Sequence, residues 1–241
     1  MPHNIQKSSY FSGPTYFGNS RLHREKMAGV LISKDYMRFS KKFLENYRAG
    51  ISTSSLRFFF EITLNRIILD AYLFGADSAL RDFGFNTLEQ VSNQRSFTLA
   101  NETVLKQIQL RAVKSSDSIH RTTLGIFRRQ ASEEDILKYV KRSQLWRPLM
   151  IARREFFFGF SLARYQVFQN SGVKRVLWFN GNLDKKPLHF RNQSEGFISI
   201  GDNFKSGTFS PGIEDRDSFG CRCILLPDTL NLVPEVIWLG S

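Results

Sequence analysis

Between residues 22 and 172 the chain keeps a helical rhythm, and after Gly172 it abandons it. That change of texture constrains the fold more than any single motif. Apolar residues recurring every three to four positions ask for amphipathic helices packed on one another. The short runs that follow are rich in Val, Ile, Phe and Trp and ask for a small sheet. The expected fold class is therefore mainly α: a multi-helix body with a small C-terminal α+β unit of short strands.

Residues 34–47 place Tyr36, Met37, Phe39, Phe43, Leu44 and Tyr47 near helical spacing, and Gly50 ends that segment. Ser52, Thr53 and Ser54 offer caps for a long helix over 55–83 that stops at Gly84. Leu56, Phe60, Leu64, Ile67, Ala71 and Phe74 form its stripe. Helices are expected over 100–113 and 118–127. The run Ser132-Glu133-Glu134-Asp135 reads as a capping box opening a short helix to Ser143. Trp146-Arg147-Pro148 then reads as a break, with Pro148 the first residue of a further helix ending at Gly172.

Strands are expected over 173–179, 197–200 and 222–226, with turn chemistry at 180–182 and a polar connection over 201–220. Four regions result. Residues 1–20 form an extended arm of spaced aromatics, Gly and Pro. Residues 21–147 form a helical domain, 148–227 the C-terminal unit, and 228–241 a tail whose Leu230, Val233, Ile237 and Trp238 pack on something.

The chain carries 34 Lys and Arg against 22 Asp and Glu, a formal net charge of +12. Such a field draws a protein toward polyanions. Two stretches concentrate it. Up to Arg66 there are eleven bases against four acids, and from Lys138 to Arg154 six bases and no acid. Lys138, Lys141, Arg142, Arg147, Arg153 and Arg154 are the candidate DNA-binding residues. They form either a phosphate-facing patch or a set of solvated helix faces. No recognition-helix pattern accompanies them, so any DNA contact is expected to be with the backbone. A membrane partner is not expected, because no apolar run approaches the length of a bilayer span and the opening residues carry no signal-peptide pattern. Phe supplies 23 residues, with runs at Phe58 to Phe60 and Phe156 to Phe158. A Phe run covers several sides of one helix, which fits either contact with other subunits or a central core helix.

Chemistry-bearing residues are few. Cys221 and Cys223, two apart on a strand, share a face, and with His189 they offer a trio of zinc ligands, soft sulfur plus imidazole, to which Asp184 is an optional addition. The C-x-C spacing lacks the two-residue gap of a zinc knuckle, and a small buried cysteine pair is the other reading. Asp184, His189 and Arg191 read as an acid–base–anion cluster for phosphodiester chemistry, or as a loop held by hydrogen bonds and stiffened by Pro187. The triplet at 52–54 resembles the S-T-S element of ADP-ribosyltransferases, but it precedes a Phe-rich segment and reads as a cap. His23 and His120 read as surface residues of basic helices. Phosphate-loop, nucleophile-elbow and zincin motifs are missing from the sequence, and no cofactor is expected.

The order of residues across 150–227 is more specific than any one of them. An A-R-x-E helix with Arg153 and Glu155 leads to Gly172-Val173 and Trp178. Asp184, Pro187, His189, Gly196 and Pro211 follow, then Cys221-Arg222-Cys223. This order resembles the C-terminal half of the phage minor head proteins, the Mu F-like head morphogenesis family. Some members carry C-P-x-C where this chain has Lys186-Pro187-Leu188-His189. The resemblance implies a non-enzymatic virion component associated with the portal inside the head, in the capsid interior after assembly in the host cytoplasm. Major capsid or scaffold protein and double-stranded DNA are further implied partners. Arg153, Glu155, Trp178, Asp184, His189, Cys221, Arg222 and Cys223 would then be structural. From their spacing, Arg153 and Glu155 read either as an ion pair or network locking the long helix onto the β unit, or as a plain solvated pair. The rival readings are a metal-dependent nuclease or other DNA-processing enzyme, and a free non-specific DNA-binding protein.

Overall fold

The computed structural model describes residues 14–82, 102–130, 132–180, 187–213 and 223–229. It is mainly helical with a small antiparallel sheet toward the C-terminus, the class read from the sequence. Among the described residues, four long helices form the body: α1 (Pro14–Arg48), α2 (Glu61–Asp82), α3 (Glu102–Phe127) and α4 (Glu133–Asn170). A short helix, α5 (Pro187–Ser194), joins strands β1 (Arg175–Phe179), β2 (Phe197–Ser199) and β3 (Ile224–Pro227) in the C-terminal unit.

α4 is the axis of the molecule. Residues 155–164 are buried at every position, so neighbours surround this stretch on all sides. α2 and α1 pack along it, α3 packs on α2, and β3 lies against its later turns. Phe156, Phe157 and Phe158 are core residues. Of the two readings of that run, the central core helix holds.

Backbones come close where α2 meets α4. A Cβ on Gly75 would stand 2.8 Å from the Phe160 Cα, and one on Gly159 would stand 3.0 Å from the Ala71 Cβ. No real side chain fits at either place, so glycine lets the two helices approach.

Several expected boundaries are corrected. The arm over 1–20 is not extended throughout, because α1 begins at Pro14, a residue suited to a first helical turn. Residues 1–13 lie outside the described part. The helix expected from residue 55 begins at Glu61, after a 3-10 turn at Ser54–Leu56. Its start is held by α3: the Ser116 hydroxyl accepts from the Phe60 N–H at 3.0 Å and donates to the Arg57 carbonyl. The two helices expected over 100–127 are one. Ser115, Ser116 and Asp117 face neighbours that satisfy them, so their preference for turns is overridden.

The break at Trp146–Pro148 does not occur either. α4 runs through Pro148, and the 147/148 boundary between regions falls inside a helix. An interior proline costs about 3 kcal/mol. Burial on both sides offsets it: the Tyr36 hydroxyl donates to Ser143 Oγ, and Arg147 donates to the hydroxyls of Tyr36 and Tyr139. The cap at the start of α4 is as expected, with Ser132 Oγ accepting from the Asp135 N–H at 3.2 Å.

The sheet order is β2-β1-β3, antiparallel throughout. Val176 pairs Ile198 on one side, and Trp178 pairs Leu225 on the other. Val176 and Trp178 point inward, the alternation a one-sided sheet requires. Gly212, at φ +79°, lies flat on Phe157, where a Cβ would stand 2.5 Å from the ring.

Candidate functional site

Three residues singled out from the sequence converge in the C-terminal unit. Trp178 comes from β1, His189 from α5, and Cys223 from the residue before β3. Cys223 Sγ lies 3.3 Å from His189 Nδ1. The Trp178 ring lies over the imidazole with centroids 5.4 Å apart, and Phe204 closes the other side of Trp178 at 5.3 Å. Their exposures are 2% for Trp178, 1% for His189 and 0% for Cys223.

Local chemistry explains the convergence. Pro187 occupies the first helical position of α5, so His189 sits on a helix and not in the stiffened loop expected for it. The same helix turns Asn192 inward, where its amide binds the Ser206 N–H and hydroxyl. Gln193 Oε1 accepts from the Asn180 N–H at 2.9 Å and ties α5 to the end of β1.

A thiol beside an imidazole is the arrangement of a cysteine nucleophile and its base. Here both the sulfur and the imidazole are buried. The acid–base–anion cluster is not assembled among the described residues either, since Arg191 is exposed while His189 is interior. Asp184, Cys221 and Arg222 lie outside the described residues. His189 and Cys223 are two of the three proposed zinc ligands, and among the described residues no group of three potential ligands gathers.

Glu155 has a different partner from the one expected. Its carboxylate, 0% exposed, accepts from Arg111 Nε and Arg154 Nε at 2.7 Å each and from Ser115 Oγ at 2.9 Å. Arg153 instead approaches Glu25 of α1 at 3.7 Å. Spacing of two along a helix turns side chains to different faces, so the pair Arg153–Glu155 does not form. Glu155 joins α4 to α3, and the lock onto the β unit is elsewhere.

That lock is Arg164, a residue the sequence reading passed over. Its guanidinium donates to the Leu225 carbonyl at 2.6 Å and to Ser78 Oγ at 2.8 Å, and pairs with Asp82. One buried cation thus fastens α4, α2 and β3. The signal was available as a lone arginine inside an apolar stretch, where a charge has to be paired. His120 was likewise misplaced. It is buried, with Nε2 2.9 Å from the Thr53 carbonyl, whereas His23 is exposed as expected.

The candidate DNA patch divides. Lys138, Lys141 and Arg142 are exposed on the first half of α4, with Lys138 paired to Glu134. Arg147 is interior, and its bond to Tyr139 helps hold that phenol against the upward push of its own burial. Arg154 and Arg153 are engaged by Glu155 and Glu25. Arg147 is therefore withdrawn as a phosphate contact. No helix among the described residues is long and apolar enough to cross a membrane.

Comparison with known proteins returned no match to a protein-family description, a curated protein or a solved structure.

Proposed function

We propose that this chain is a phage minor head protein, a non-enzymatic component that binds the portal inside the head and contacts packaged DNA without sequence preference. The observation that carries the reading is the buried Trp178–His189–Cys223 cluster. These are positions in the ordered motif that resembles the Mu F-like head morphogenesis family, and their meeting in one buried cluster supports a shape-keeping role for them. A catalytic histidine has to reach the atom it deprotonates, and this one is interior. The exposed Lys138, Lys141 and Arg142 supply the backbone contact with DNA.

The test is the protein content of purified particles together with an assay for plasmid cleavage. The chain should appear in particles that contain portal, in few copies, and plasmid should stay intact with or without divalent metal. Metal-dependent cleavage abolished by His189→Ala would overturn the reading in favour of a nuclease.

A further inference from the structure

The outer face of α1 is unlike a solvated helix face. Every exposed position between residues 23 and 42 is either basic or apolar, with no acid among them. Met27, Val30, Leu31, Lys34, Met37 and Lys41 follow one another at intervals that keep them on one side of the helix. Lys26 and Arg38 flank this stripe. Met27 and Val30 are each 53% exposed and Met37 is 48%. The apolar members are not the edge of the core, because Ile32, Tyr36, Phe39 and Phe43 already fill it from the opposite side.

α4 carries exposed apolar residues of its own. It runs antiparallel to α1, as three contacts fix: Tyr36 with Ser143, Gly29 with Leu149, and Glu25 with Arg153. That register sets Leu145 and Trp146 level with Lys34. Both are exposed, Leu145 at 86%, and Lys141 and Arg142 stand one turn before them.

We propose that the α1 stripe is a docking face for an acidic amphipathic helix of a partner protein. The occupant follows from the two kinds of side chain present. Duplex DNA takes up the bases but gains nothing from Met27, Val30 and Met37. A second copy of this face would set lysine against lysine. A helix with a Leu or Ile stripe bordered by Glu satisfies both kinds at once, the helix-in-groove mode with complementary charge. Met and Arg are residues that protein interfaces favour. The inference stands without the head-protein reading, and its test uses no viral component.

The probe is a fluorescein-labelled synthetic helix of about 15 residues, the length that spans the stripe at roughly 1.5 Å per residue, with Leu every three to four positions and Glu between. Anisotropy titrations compare it with a scrambled peptide of equal composition, a duplex DNA and phosphatidylserine vesicles. The amphipathic peptide should bind, and the scrambled one should bind at least about tenfold more weakly. The double variant Met27→Ser/Val30→Ser, matched to wild type by circular dichroism, should lose about tenfold for the peptide and leave duplex affinity unchanged. Lys34→Glu/Lys41→Glu should weaken the peptide as well and gives a second readout if the first variant misfolds. Equal binding of the scrambled peptide, no binding of the amphipathic one, or loss of duplex or vesicle binding on Met27→Ser/Val30→Ser would overturn the proposal.

Discussion

Arg164 on α4 donates to the main-chain carbonyl of Leu225 on β3, 61 residues further along the chain, at 2.6 Å from Nη2 and 3.1 Å from Nε. This contact fastens the sheet to the helical body. The guanidinium also serves Ser78 and Asp82, so its removal strands partners on two elements. Arg164→Met should cost about 3–5 kcal/mol, the range for breaking a buried, hydrogen-bonded charge. Urea unfolding measures it, and a loss below about 1 kcal/mol would show that the network is not the lock.

His189 and Cys223 should behave as one unit. They meet at 3.3 Å, and the Trp178 ring, itself packed on Phe204, lies against His189. His189→Ala and Cys223→Ala should each destabilise the chain, and the double variant should lose less than the sum, with a coupling of about 0.5–3 kcal/mol. Additive losses in the unfolding midpoint would mean that the 3.3 Å contact carries no energy of its own.

Asp117 introduces a pH dependence. The hydrogen bond from Arg57 lowers its carboxyl below the ordinary value, helped by the charge of Arg121 and opposed by desolvation. A depressed folded value means stability present above the ordinary aspartate range near about 3.9 and lost as pH falls through the lower folded value. Asp117→Asn should flatten the acid limb of the stability profile in that window and leave the slope at neutral pH unchanged. Equal acid slopes in wild type and variant would contradict the assignment.

Tyr72 acts at the other end of the scale. Burial raises its phenol far above the ordinary value, and its hydroxyl donates to Gln166 Oε1 at 2.9 Å. A raised folded value means stability fully present below the unfolded value of about 10 and lost as pH climbs above it. Tyr72→Phe should cost about 1 kcal/mol at neutral pH and make the alkaline limb shallower. An unchanged alkaline limb in the unfolding profile would remove Tyr72 from the account.

The basic residues of α4 should separate into two kinds. Lys141→Ala/Arg142→Ala should leave the unfolding midpoint in place and reduce the salt dependence of duplex binding by about two phosphate contacts. Arg147→Ala should instead lower stability, because the hydroxyls of Tyr36 and Tyr139 lose their donor. A salt slope that responds to Arg147→Ala and not to the exposed pair would reverse this assignment.

Periodicity made the helical body legible, because Tyr36, Phe39 and Phe43, and later Leu64, Ile67 and Ala71, mark faces that can only be buried. It could not reveal helix continuity. Ser115, Ser116 and Pro148 carry local preferences against helix; Ser115 and Ser116 are bound by Glu155 and Phe60, and the helix around Pro148 is tied to Tyr36 through Ser143 and Arg147. Met37 shows the converse error. It was assigned to the core stripe and lies outside it, since a hydrophobic residue next to a true core position is indistinguishable by spacing alone. His189 and Cys223 were grouped from the sequence as possible zinc ligands and as structural candidates, and the structure brings these two together at 3.3 Å across 34 residues of chain. For Arg164 the sequence signals a buried charge that has to be paired, but not its partners, which are a carbonyl and two polar groups on distant segments.

The most direct measurement is size-exclusion chromatography of the full chain mixed with portal rings, followed by incubation of the same fractions with plasmid. The account predicts that the chain elutes with the ring and leaves the plasmid uncut and unmodified. Elution apart from the ring, with turnover of the DNA, would contradict it.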